Sequence, residues 1–199
     1  GAVCESAACA AVPVDARCAL SEPPELAATL NAPIAGRILM GAMFKLGTPK
    51  EKARADAARL AVREINEQGG ISGTQMGLVV CDNDADGSEA NDVAETEELT
   101  RYLAGGLGVR VILGPSSSTN AAAATNVLLQ ERLPTVILSA SATSSSLTNL
   151  LDRFNPETDP VGLFWRTCPS DALQGKTLAA EIATKAGLTS VAVLYQRDT

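Results

Sequence analysis

The chain contains no histidine. That removes Ser-His-Asp and Cys-His catalysis, His-ligated zinc and the usual general base near neutral pH. Basic residues are also in deficit, 16 against 23 acidic, for a net charge of −7. Nucleic acid and anionic membrane surfaces both call for a basic footprint, so neither is expected as a partner. Aromatics make up only 3% of the chain, which leaves an aliphatic core rich in alanine. No apolar run approaches the roughly 18 residues of a membrane span. The phosphate-cradling GxxxxGK[ST] and the nucleophile elbow GxSxG are both missing. "GGLG" at Gly105–Gly108 precedes an apolar strand instead of following one, so it reads as a helix end and turn, not a dinucleotide loop. No cofactor is expected.

What remains is a globular composition: 199 residues, 46% hydrophobic and 20% charged. The length fits one large or two small domains. Of five cysteines (Cys4, Cys9, Cys18, Cys81 and Cys168), none forms a CxxC pair, which disfavours a zinc knuckle or a redox motif. Three lie in the first 18 residues, and such a segment is easier to explain in an oxidising compartment, where disulfides persist. The odd count leaves at least one unpaired within the chain. Residues 1–12 lack the basic and apolar regions of a signal peptide. "GAVC" is a weak match to a lipobox, and a lipid anchor at the N-terminus stays an open alternative.

Residues 1–36 show no clean period and read as a tail or tether. The run "RILMGAMF" (Arg37–Phe44) is apolar throughout, as a fully buried strand requires. Residues 48–68 follow as a helix. Thr48 is its expected N-cap, Pro49 its first residue and Glu51 the partner in a capping box; Ala58, Ala61, Val62 and Ile65 share its apolar face, and Gly69-Gly70 end it. The pattern repeats with strand 76–81, helix 88–104, strand 109–113, helix 118–131 and strand 134–139. After an irregular loop come strand 163–167, helix 171–186 and strand 190–195, where the chain stops as if mid-domain. This alternation predicts an α/β fold: a Rossmann-like open parallel sheet with helices on both faces.

"DNDADG" (Asp82–Gly87) matches the first half of a calcium loop. Position twelve, which should be a bidentate glutamate, is Val93. The stretch reads instead as an acidic strand-to-helix loop capped by Asp86 or Ser88. Two serine clusters carry more. "VILGPSSSTN" ends one strand in hydroxyls and "TVILSASATSSSLT" ends the next. In an open α/β sheet, ligands bind outside the carboxyl ends of the strands. Ser116–Thr119 also precede a helix, whose free N–H groups and partial positive charge suit a carboxylate or phosphate. Consecutive strands are usually neighbours, so the clusters form one expected site for a small polar ligand. A single serine is better read as a cap or turn residue. A hydrolase-type alternative would use Ser117 or Ser118 as nucleophile and Asp84 as base.

The motifs EIN-x-x-GGI-x-G (from Glu64), GPxSS (from Gly114), LSxSAT (from Leu138) and RT-x-PSD-x-x-QG (from Arg166) occur in this order. The chain from about Arg37 to Tyr195 thereby resembles the type 1 periplasmic solute-binding proteins, in particular the leucine/isoleucine/valine-binding branch, whose fold is shared by receptor ligand-binding regions. The resemblance implies two lobes that close on a ligand, with residues 37–169 as lobe 1, lacking its returning strands, and residues 170–199 as the first helix and strand of lobe 2. It implies a non-catalytic, extracytoplasmic component of an ABC transporter that delivers an amino acid of branched-chain type, or a similar solute, to a permease. A sensing domain of the same fold is the alternative. By the same likeness, one of Ser116, Ser117 or Ser118 holds the ligand's carboxylate, and Ser141 and Thr143 contact its carboxylate and ammonium. Phe44–Leu46 form the side wall, and Asp84 is a further candidate contact. The loop "FKLGTPKEK" departs from the family's Ser-Gly-rich pattern. Two lobe-2 elements cannot bury a core alone, so they are expected to be mobile, swapped or packed on a neighbour.

Overall fold

A computed structural model describes residues 13–30, 36–88, 90–184 and 190–194. Strands β1 (Leu20–Glu22), β2 (Arg37–Phe44), β3 (Gln75–Asp82), β4 (Val111–Leu113), β5 (Val136–Ser139) and β6 (Phe164–Arg166) form one sheet in the order β1-β3-β2-β4-β5-β6. All neighbouring pairs are parallel except β1–β3. The helices are α1 (Pro49–Glu67), α2 (Asp92–Thr100), α3 (Ser118–Gln130) and α4 (Asp171–Thr184). This is the expected mixed α/β architecture.

The central strands are buried on both faces, and their side chains sort by the two-residue period of a strand. Ala42, Phe44, Met76, Leu78 and Val80 face α1, where Ala55 and Val62 are buried and Ala58 and Ile65 pack beside them. Met43, Val79, Cys81, Ile112 and Ile137 face the other way, onto Leu99 and Leu103 and onto Ala124 and Leu128 of α3. Ala61, expected on the buried face of α1, is exposed.

The expected tail is in part not a tail. Residues 20–22 add an antiparallel edge strand to β3, and a 3-10 turn (Pro24–Thr29) buries Leu26 and Leu30 in the core. A disulfide joins Cys18 to Cys81, both fully buried. Arg17 bridges to Glu98 of α2 at 3.0 Å, and Arg63 of α1 bridges to Glu22 at 2.9 Å. None of these partners is near in sequence, so no local pattern announces them. Cys4, Cys9 and the "GAVC" stretch lie outside the described residues, and Cys168 is a free thiol.

Other boundaries shift for identifiable reasons. The capping box at α1 does not form: Thr48 bonds the carbonyl of Lys45, and Glu51 turns to Arg54 and Ser116. Helix α2 begins at Asp92 instead of Ser88, because Asp86 closes a turn on the Ser88 N–H (2.8 Å) and the Asn91 amide (2.6 Å). Its last turn, Arg101–Gly106, widens to a π-helix, with the Leu107 N–H reaching the Tyr102 carbonyl. Residues 190–194 form no strand, and Tyr195 and residues 185–189 lie outside the described part. Helix α4 buries no residue and leaves Leu173 and Leu178 more than half exposed.

Candidate functional site

The sheet order creates the site. From β2 the chain crosses to β3 on one side, then returns to place β4 on the other. The order therefore reverses between β2 and β4, and a crevice opens outside their carboxyl ends, where open α/β sheets bind ligands. A cavity of about 240 Å³ lies there. Lys45 lines it from the end of β2 and Asn83 from the end of β3, while the first turns of α1 give Lys50, Glu51 and Arg54. Ser116, Ser117 and Asn120 come from the β4–α3 turn, and Ser141 from the turn after β5.

The β4–α3 turn depends on Gly114. Its φ is +86°, and a Cβ there would sit 2.3 Å from the Met43 carbonyl oxygen. Only glycine fits both demands. The two serine turns then lock together through the chain's own hydroxyls. Ser139 Oγ, fully buried, donates to the Pro115 carbonyl at 2.7 Å and accepts from the Ala142 N–H at 3.1 Å. Ser141 Oγ donates to the Ser116 carbonyl at 3.0 Å. Ser118 Oγ accepts from the Ser144 N–H at 3.1 Å. Adjacent parallel pairing of β4 with β5 makes this possible.

The three candidate serines thus differ. Ser118 is turned to the neighbouring turn and lies outside the cavity. Ser116 Oγ gives its single proton to Glu51 and accepts from Arg54 Nη1 at 3.0 Å. Ser117 caps α3, accepting from the Asn120 N–H at 3.2 Å, and its hydroxyl proton stays available at the cavity. Phe44 is 6% exposed and belongs to the core under α1. Thr143 lies outside the cavity, its carbonyl accepting from the Asp171 N–H at 2.8 Å where α4 begins. Asp84 also lies outside it, 3.8 Å from the Lys45 ammonium, which pairs more closely with Asp92. Burial pushes the Asp84 carboxyl above the usual range; Lys45 opposes this and Asp92 reinforces it. No hydrogen bond joins Asp84 to Ser117 or Ser118 among the described residues: Ser117 Oγ accepts from the Asn120 N–H, Ser118 Oγ from the Ser144 N–H, and Asp84 faces Lys45. Sequence reasoning missed Lys50, Glu51, Arg54, Asn83 and Asn120. Its one relevant signal was the charged loop "FKLGTPKEK".

Asn83 is 1% exposed and gives its amide hydrogen to Thr96 at 3.0 Å, while its Oδ1 is buried without a partner. No cluster of potential metal ligands occurs among the described residues. The three aspartates of "DNDADG" serve separate contacts: Asp82 accepts from the Leu46 and Asp84 N–H groups, Asp84 faces Lys45, and Asp86 closes its turn.

Fold and cavity together define an α/β fold of the solute-binding class, with polar groups converging at a topological switch point. The chain belongs to the periplasmic binding protein family, whose model matches residues 47–199, and that family binds solutes without catalysis. The structure of the branched-chain amino acid transporter substrate-binding protein LivJ from Streptococcus pneumoniae, in complex with isoleucine, is 28% identical with a TM-score of 0.61. The match covers 76% of this chain and 39% of that one. An ABC transporter substrate-binding protein from Desulfitobacterium hafniense, in complex with Leu, is 26% identical with a TM-score of 0.59, over 74% of this chain and 38% of that one. A leucine-, isoleucine-, valine-, threonine- and alanine-binding protein from Brucella ovis shares the fold at 21% identity and a TM-score of 0.60, over 76% of this chain and 37% of that one. The chain thus spans about two fifths of the length of these structures. No curated protein matches it.

Proposed function

We propose that this chain carries the first lobe, and the start of the second, of an extracytoplasmic solute-binding protein that captures an amino acid or similar small polar solute and delivers it to an ABC transporter. The observation that carries this reading is the pair of serine turns at the switch point, beside the amino end of α3. The free N–H groups of that helix and the Ser117 hydroxyl offer donors to a carboxylate, and a hydrogen bond to a charged group contributes about 1.5–3 kcal/mol. Two similar structures above 25% identity were solved with isoleucine and leucine, which supports an amino acid as the solute class. The buried Cys18–Cys81 disulfide supports an oxidising compartment, and no helix among the described residues is long and apolar enough to cross a membrane.

The test is a thermal-shift screen of the intact protein against amino acids, sugars and inorganic anions. A cognate amino acid at 100 times its dissociation constant should stabilise by about 2.7 kcal/mol. Stabilisation by a non-amino-acid solute alone would refute the amino-acid assignment, and no stabilisation by any solute would refute the binding reading.

A further inference from the structure

We infer that the solute is an acidic amino acid, and that Lys50 and Arg54 select it by taking its second carboxylate; this rests on the solute-binding reading above. The inference follows from which polar groups at the cavity are already matched and which are not.

Every side chain lining the cavity is polar or charged. Glu51, 7% exposed, is matched on both oxygens: one accepts from Arg54 and the other from Ser116. Lys45 is held by Asp92, with Asp84 beside it. Lys50 is different. It is exposed at the cavity and has no carboxylate within 4.0 Å among the described residues. Arg54 uses only Nη1, toward Glu51 and Ser116, and its Nε and Nη2 carry no hydrogen bond among the described residues. The amino end of α3, with the Ser117 hydroxyl, is a separate set of donors. The bond from Arg54 to Ser116 at 3.0 Å brings both sets within the reach of one small molecule. Two side-chain amides supply unmatched acceptors: Asn83 Oδ1 is buried at the cavity wall without a partner, and the Asn120 side chain, which also lines the cavity, carries no hydrogen bond among the described residues.

Two donor sets complement two carboxylates, and the asparagine acceptors complement one ammonium. An aliphatic side chain against α1 would instead desolvate Lys50 and Arg54 with nothing to replace their water, which is unfavourable. On this inference the wall favours an acidic side chain over the branched-chain type that the sequence resemblance implies.

Calorimetric titration of the intact protein with glutamate, aspartate, leucine, isoleucine and lysine tests the inference. Glutamate or aspartate should bind at least about tenfold tighter than leucine, about 1.4 kcal/mol. Lys50→Glu should weaken that binding by tenfold or more, and Lys50→Gln by less. The unliganded melting temperature should barely move, because Lys50 is exposed and forms no ion pair among the described residues. Leucine or isoleucine binding as tightly as glutamate would overturn the inference and leave the amino-acid reading standing. Tighter binding of lysine would overturn it in favour of an acidic site around Glu51. Unchanged glutamate affinity in both variants would remove Lys50 from recognition and overturn it too. Binding of none of the five would overturn the inference, while the amino-acid reading stands or falls with the wider thermal-shift screen.

Discussion

Removing the Cys18–Cys81 disulfide should loosen the N-terminal segment and lower the stability of the fold by several kcal/mol. The bridge spans 63 residues and encloses β1, the 3-10 turn, β2, α1 and most of β3. In the chain-entropy model, closing a loop of that length removes roughly 14 cal/mol/K from the unfolded ensemble, or about 4 kcal/mol at 25 °C. Native contacts at the bridge add to this: Leu26 and Leu30 are 4% and 3% exposed, and they pack in the same cluster as both cysteines. Reduction need not detach the segment completely, because β1 still pairs with β3 and Arg63 still meets Glu22. The assay is urea unfolding of the intact protein, of the protein with reductant, and of the double variant Cys18→Ser, Cys81→Ser. With a slope of about 2 kcal/mol/M, the midpoint should fall by about 2 M. The reduced protein and the double variant should agree, and β1 amides should lose protection first. Equal midpoints in all three samples, or peptide mapping that pairs Cys18 with another cysteine, would refute the reasoning.

Two further outcomes follow from the site. Ser139→Ala should destabilise by about 1–3 kcal/mol in urea unfolding, because it strips the buried Pro115 carbonyl and Ala142 N–H of their shared partner. It should also weaken solute binding, since the two serine turns lose one of their ties; unchanged stability would mean that this hydroxyl does not hold them together. The Asp84 carboxyl, raised by burial, binds its proton more tightly in the folded state than in the unfolded chain. The stability it contributes is therefore complete below the ordinary aspartate value of about 3.9 and is lost as pH rises through the raised one. Asp84→Asn should accordingly stabilise the protein at pH 7, with the gain shrinking toward pH 4. Denaturation across that range measures it, and a gain that grows as pH falls would reverse the assignment.

Part of the fold and of the site is legible in the residues alone. The apolar run Arg37–Phe44 forms a strand with those same limits, because a continuous apolar stretch has one use inside a parallel sheet. Ser118 and Asp171 are expected as helix starts and are so. The adjacency of the two serine turns follows from the tendency of consecutive strands to pair, and β4 does pair with β5. The individual roles do not follow. Glu51 fits a local capping box as a pattern, yet its carboxylate goes to Ser116, 65 residues away. Ser118 looks like Ser117 in sequence, and only the position of the Ser144 N–H separates them.

By itself, the sequence determined the order and kind of the main elements between Arg37 and Thr184, the aliphatic core and the exclusion of histidine chemistry. Each of these is written in residue type and short-range period. The tertiary structure alone decided that β4 returns beside β2 and so opens the crevice, and that Cys18 reaches Cys81. It also decided that the cavity is walled by the charged side chains of α1, with Lys50 lacking an anionic partner among the described residues. These are questions of which distant groups meet. Periodicity places a side chain on a face, but the partner across that face is chosen by the packing of the whole sheet and its helices.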